Sequence, residues 1–182
     1  MKIVKLIIVL VLIYLFVHTF LFQLYKIPST SMVKILVPGD MIFVSKLTYG
    51  PKIPFTDLRI PGFTKPKKGD VVVFFTPHEN KKPYIKRLIG LEGDKVLIKR
   101  GNIYINGKEE VDPRIARNYY YNQGDYAKES KEVVVPQGKY FFLGDNSISS
   151  SDSRFWGFVD EKDIIGKAIF IWWPRDRVDM IE

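Results

Sequence analysis

Hydrophobic positions fall into two regimes along the chain. From Leu6 to Leu24 the sequence reads LIIVLVLIYLFVHTFLFQL, close to the roughly 20 apolar residues that a helix needs to cross a bilayer. This predicts a transmembrane anchor over residues 1–24. A removable targeting peptide is the rival reading, because Lys2 and Lys5 precede an apolar stretch, Leu6 to Val17, of the length such peptides use. The residues that follow are His18, Thr19, Phe20, Leu21 and Phe22, with no Ala-x-Ala-like cleavage site, which favours a retained helix. Lys2 and Lys5 predict a cytoplasmic N-terminus and an extracytoplasmic remainder, residues 25–182.

Past Lys26 the pattern changes to short runs rich in Val, Ile, Phe and Tyr, punctuated by Gly, Pro and Asp: MIFVSKL, DVVVFFT, YIKRLIGL, KVLIKR, NIYIN, KEVVVP, KYFFLGD and KAIFIWW. These read as strands. Arg100-Gly101-Asn102 predicts a hairpin and Asn106-Gly107 the next turn. No long amphipathic helical pattern follows residue 26, so a mainly β domain built as a coiled, barrel-like sheet is expected behind the single helix. Residues 108–131 are polar and without period, with Tyr119-Tyr120-Tyr121 among them, and predict an inserted surface lobe or flexible flap.

Composition narrows the chemistry. With 182 residues and 46% hydrophobic content there is room for one membrane segment and one domain. Zero Cys excludes disulfides, a thiolate nucleophile and Cys-ligated zinc, and two histidines, His18 and His78, exclude a multi-histidine metal site. No metal and no cofactor is expected. The net charge of +8 points to an acidic partner, nucleic acid or lipid headgroups. The basic set Lys65, Lys67, Lys68, Lys81 and Lys82 is interleaved with Pro and lacks aromatic stacking platforms, so a headgroup-facing or solvated surface is expected and nucleic acid is not.

The segments that carry chemistry are Ile27-Pro28-Ser29-Thr30-Ser31-Met32; Gly39-Asp40; Tyr84 to Gly90 leading into Gly93-Asp94; Gly144-Asp145-Asn146 leading into Ser150-Ser151-Asp152-Ser153-Arg154; and Gly166-Lys167-Ala168. Alone, each reads as an ordinary loop or surface patch. In this order they resemble the sequence boxes of type I signal peptidases, from the membrane exit to Trp172-Trp173-Pro174. The resemblance implies a membrane-bound serine endopeptidase acting on signal-peptide-bearing preproteins at the bilayer. By that resemblance Ser31 is the nucleophile and Lys86 the general base, with Ser29 and the Ser31 N–H as the oxyanion hole and Ser150 orienting the base. Asp145 with Arg87, and Asp152 with Arg154, are expected as ordering ion pairs. A Ser hydroxyl served by a neutral Lys amine is a workable pair where neither Cys nor a suitable His is present, provided burial lowers the Lys pKa. The resemblance also implies that Tyr25, Ile27, Met32, Leu36, Val73, Tyr84 and Ile85 wall shallow pockets for small side chains, although for Leu36 and Val73 a core role is an equal reading.

Two departures from the family pattern stand out. Val33, Lys34 and Ile35 occupy positions where a Pro-Thr is usual, and Ser147 stands where a basic residue often follows Gly-Asp-Asn. A plasmid-transfer maturation peptidase is an open alternative within the same chemistry. A LexA-like self-cleaving repressor is disfavoured by the apolar span and by the lack of an N-terminal DNA-binding module. A membrane-tethered binding module is the alternative from another class.

Overall fold

The computed structural model describes residues 2–56, 58–78 and 82–182. Helix α1, Lys2–Phe16, continues as a π-helical turn, Val17–Leu21. The combined helix has no buried side chain in α1 and is long and apolar enough to cross a membrane. An apolar surface on every side of a helix is a stable arrangement only in lipid or in a protein core.

The chain then enters β1, Phe22–Lys26, which pairs antiparallel with β2, Met41–Ser45. The predicted anchor therefore ends three residues early, because Phe22, Gln23 and Leu24 belong to the sheet. Hydropathy cannot separate these readings, since a short apolar segment fits either element. Packing decides it: the Phe22 ring lies 4.7 Å from Phe43, and Phe43 lies 5.0 Å from Phe170.

The main sheet continues through β3 (Val71–Phe75), β4 (Pro83–Gly90), β9 (Lys139–Leu143), β10 (Val159–Asp160) and β11 (Ile164–Trp173). Its order is β1-β2-β11-β3-β4-β9-β10, with β12 (Asp179–Met180) paired to β11, and it curls into a half-barrel. Strand β3 explains why one segment is apolar at every position. Val71 and Val73 pack with Ile27, Met32, Leu36 and Ala168, while Val72 and Phe74 pack with Leu88, Phe142 and Val159. A strand with a core on each face reads as a continuous apolar run.

A second sheet has the order β7-β6-β5-β8, formed by Lys108–Glu109, Asn102–Ile105, Lys95–Lys99 and Val133–Val134. Both predicted turns occur as two-residue loops, Arg100-Gly101 and Asn106-Gly107, with positive φ at all four residues. That geometry matches strand twist and is the reason Asn-Gly signals a hairpin.

Residues 108–131 lie over this sheet but form no loose flap. They contribute β7 and the short helix α2, Pro113–Ala116, and bury Ile115, Tyr120 and Ala127 in one core with Val96, Ile98, Ile103 and Phe141. Asn122 satisfies the Ile98 and Ala127 carbonyls from within this irregular stretch. The anchoring apolar residues are spaced without period, which is why the sequence reads as unstructured.

Candidate active site

The tight turn after β1 and the middle of β4 meet at the centre of the site. Ser31 lies in the turn that closes with Leu36 N–H donating to Met32 O, 3.0 Å. Burial of Met32 and Leu36 beneath it roots this turn in the core. Lys86, on β4, donates from Nζ to Ser31 Oγ at 2.7 Å and to the Ile85 carbonyl at 3.0 Å. Ser31 and Lys86 are 5% and 3% exposed, so the pair is nearly dry. Desolvation pulls the Lys86 amine down to about 8; Asp152 and Asp145 oppose this, and Arg154 adds to it. A Tyr84 ring centroid 5.2 Å from Nζ completes the surroundings.

Ser29 Oγ lies 3.3 Å from Ser31 Oγ. Among the described residues the Ser31 N–H donates to no backbone carbonyl, leaving it available beside the hydroxyl. The expected oxyanion donors thus stand together.

Both expected ion pairs are present. Arg87 grips Asp145 with two bonds, 2.8 and 2.7 Å, and also donates to Gly69 O and Glu182 O. Arg154 grips Asp152 with bonds of 2.8 and 2.9 Å and donates to the Ser147 and Ser150 carbonyls, 2.6 and 3.2 Å. All four side chains have zero exposure, so each carboxylate depends on its guanidinium. Asp152 also caps α3, Ser153–Trp156, and accepts from Gly144 N–H at 3.1 Å.

These pairs hold one loop against another. Asn146 donates from its backbone to Ser31 O, 3.0 Å, and from Nδ2 to Thr30 O, 3.1 Å, binding the loop after β9 to the turn that carries Ser31. Gly144 must be glycine: a Cβ there would stand 2.2 Å from Ser150 Oγ and 2.6 Å from Ser31 O. The sequence reading gave no part to Asn146, and treated Ser147 as a departure. Ser147 Oγ accepts from Tyr121 N–H at 2.9 Å and from Arg154 Nη1, which fastens the 108–131 lobe to the site. Their adjacency to Gly144-Asp145 was the one signal available.

Three expectations change. Among the described residues the buried Ser150 hydroxyl has no hydrogen-bond partner; Nζ of Lys86 is turned to Ser31 Oγ and Ile85 O instead. Of the expected pocket walls, only Tyr84 and Ile85 line the open cleft of about 430 Å³ beside Ser31, together with Pro28, Ser149 and Ser151. Ile27, Met32, Leu36 and Val73 are at most 2% exposed and pack behind it, because alternate positions of the flanking strands fill the core. Tyr25 lines a separate cavity near the end of the anchor helix. Lys34, in the departing segment, has a positive φ of 122° and donates to Arg117 O, so this loop is braced by the lobe and not by a proline. Lys81 lies outside the described residues.

The sequence profile described as signal peptidase, peptidase S26, matches residues 1–173. The chain is 37% identical to signal peptidase IB of Staphylococcus aureus, over 87% of its own length and 81% of that relative. It is 34% identical to signal peptidase I of Buchnera aphidicola subsp. Baizongia pistaciae, over 86% and 71% of the two chains. A crystal structure of a signal peptidase I from Enterococcus faecalis V583 shares 32% identity and superposes with a TM-score of 0.47, covering 57% of this chain and 97% of the other. The chain belongs to the signal peptidase family, peptidase S26.

Proposed function

We propose that this enzyme removes signal peptides from exported preproteins at a membrane surface, with Ser31 as nucleophile and Lys86 as general base. The observation that carries this reading is the 2.7 Å contact between a buried Lys amine and a Ser hydroxyl at the edge of an open cleft. With its pKa drawn to about 8, a useful fraction of Lys86 is neutral near physiological pH and able to take a proton.

In this mechanism Lys86 Nζ takes the Ser31 proton as Oγ bonds to the scissile carbonyl carbon. The developing oxyanion accepts from the Ser31 N–H and the Ser29 hydroxyl. The carbon–nitrogen bond then breaks, and the Lys86 ammonium returns its proton to the departing amine. Water, deprotonated by the same amine, attacks the resulting ester; the ester bond to Oγ breaks, and the Lys86 ammonium returns the proton to Ser31 Oγ as the new carboxyl end departs. Arg87, Asp145, Asp152 and Arg154 touch neither substrate nor reacting atoms and act as positioning residues.

Substrate enters extended. Pairing of β4 with β9 begins only at Arg87, so Pro83 to Ile85 have β3 on one side and the cleft on the other. Ser150 is itself extended, between the cleft-lining Ser149 and Ser151. A peptide strand between these edges points alternate side chains the same way, toward Ile85 and Tyr84. The unbroken apolar surface of α1 from Leu6 onward supports an anchor across the bilayer, with Lys2 and Lys5 at its start on the cytoplasmic side and the catalytic domain outside.

The test is processing of a preprotein by wild type, Ser31→Ala and Lys86→Met in neutral detergent. Each single variant is expected to lose turnover, and the double variant to be little worse than either. Substantial cleavage by Lys86→Met sinks the mechanism.

A further inference from the structure

Where the anchor helix meets the sheet there is a cavity of about 320 Å³ that the catalytic reading does not use. Its walls include Thr19 from the helix end, Tyr25 from β1, and three lysines, Lys46, Lys52 and Lys162. Asp163 is the single acidic residue among the described lining residues, which include three lysines.

Lys46 marks the place most clearly. Its backbone N–H donates to Leu21 O, and its Nζ reaches the His18 and Thr19 carbonyls at 2.8 and 3.3 Å. It is fixed against the last turn of the anchor. It is half-buried, and desolvation lowers its pKa. Among the described residues it has no carboxylate within 4.0 Å, whereas Lys167, a comparably covered lysine elsewhere in the fold, is paired with Asp70. A partly desolvated cation in a roomy cavity calls for an anion from outside.

We propose that this cavity binds a phosphate-bearing anion at the membrane surface, the phosphodiester headgroup of an anionic phospholipid, through Lys46, Lys52 and Lys162. The inference rests on the membrane placement proposed above, because a cavity at the end of the anchor then opens at headgroup level. Occupancy links the lipid surface to the end of β1, five residues before the nucleophile.

Soluble dihexanoyl phosphatidylglycerol, dihexanoyl phosphatidylcholine and inorganic phosphate are titrated by calorimetry into the full chain held in neutral detergent. Saturable one-to-one binding of phosphatidylglycerol is expected, and no saturation with phosphatidylcholine. Lys52→Gln/Lys162→Gln is expected to weaken binding about 30-fold, from the typical contribution of each basic residue near an anionic lipid surface. This variant spares the helix-end bonds of Lys46, and its preprotein processing in detergent serves as the check on folding. Inorganic phosphate binding as tightly as phosphatidylglycerol, and weakened equally by the substitutions, supports the anion site and makes the free ion its ligand. Equal binding of phosphatidylcholine, or phosphatidylglycerol binding untouched by the substitutions, overturns the proposal. Flotation of the chain with purely zwitterionic vesicles tests the membrane placement separately, so the two failures are distinguishable.

Discussion

Replacing Lys86 by Met removes the titrating amine while keeping an unbranched chain of similar volume. Burial holds the Lys86 pKa at about 8 in the folded enzyme, against 10.5 for an ordinary lysine. Between those values the unfolded chain binds more protons than the folded one, so wild-type stability rises with pH across that window. At 1.36 kcal/mol per pH unit, the interval from 8 to 10.5 corresponds to about 3 kcal/mol. The folded wild type bears this whole penalty below pH 8 and is free of it above pH 10.5. The variant bears none of it, but loses the bonds from Nζ to Ser31 Oγ and Ile85 O, worth about 1 kcal/mol each. Lys86→Met should therefore be about 1 kcal/mol more stable than wild type at pH 7 and about 2 kcal/mol less stable near pH 11. Urea unfolding of both proteins in the same detergent, followed by Trp fluorescence at several pH values, measures the difference. Titrations common to both chains cancel. A difference that stays flat from pH 7 to 10.5 refutes the burial-driven depression of Lys86.

The same amine sets the pH profile of turnover. kcat/KM should rise with pH up to about 8 and then level, and a profile still climbing with an apparent pKa near 10 counts against a desolvated base. Ser29→Ala should lower kcat by about 10² to 10³, as loss of one oxyanion donor does elsewhere, and an unchanged kcat removes its hydroxyl from the hole. Gly144→Ala should cost about 10² in kcat while the circular dichroism spectrum is preserved, because the new methyl displaces Ser150 and the Ser31 carbonyl and small misplacements at a reacting centre are costly. Wild-type turnover by that variant contradicts the tight contact. Ile85→Ala should admit larger side chains next to the cut, an apolar wall discriminating by only about 1 to 3 kcal/mol per methylene. Sequencing the mature N-termini checks this, and cleavage confined to the original boundaries in substrates carrying bulkier residues shows that Ile85 does not shape the pocket.

Strands whose side chains meet a core were legible from alternation or from unbroken apolarity, as in β3, β5 and β11. Among the strands, β1 was absorbed into the apolar anchor, and β7, β10 and β12 escaped notice because each is two residues long and held by backbone pairing that leaves no side-chain period. The 108–131 lobe escaped for a related reason. Ile115, Tyr120 and Ala127 reach the core from irregular backbone, so their spacing carries no helical or strand signature. For the site, the order of the family-like boxes singled out Ser29, Ser31 and Lys86, and the fold brings these three side chains together. Pocket walls were less legible, since an apolar residue beside a catalytic group is equally good core, and burial put Ile27, Met32, Leu36 and Val73 in that class.

The two buried ion pairs are more than braces. Asp152 and Asp145 are the acids that draw the Lys86 pKa upward, against the desolvation that lowers it. An unpaired carboxylate in this dry setting would favour the ammonium strongly, because Coulomb attraction grows as the dielectric falls. Here each carboxylate is already gripped twice by a guanidinium, Asp145 by Arg87 and Asp152 by Arg154, and Arg154 itself pushes the Lys86 pKa down. The pairs therefore let acidic side chains fix the backbone of Gly144 and the loop around Ser150 while adding little to the attraction that favours the Lys86 ammonium. That need explains why arginine suits both positions: its planar fork saturates both oxygens of a carboxylate, which a lysine's point charge cannot.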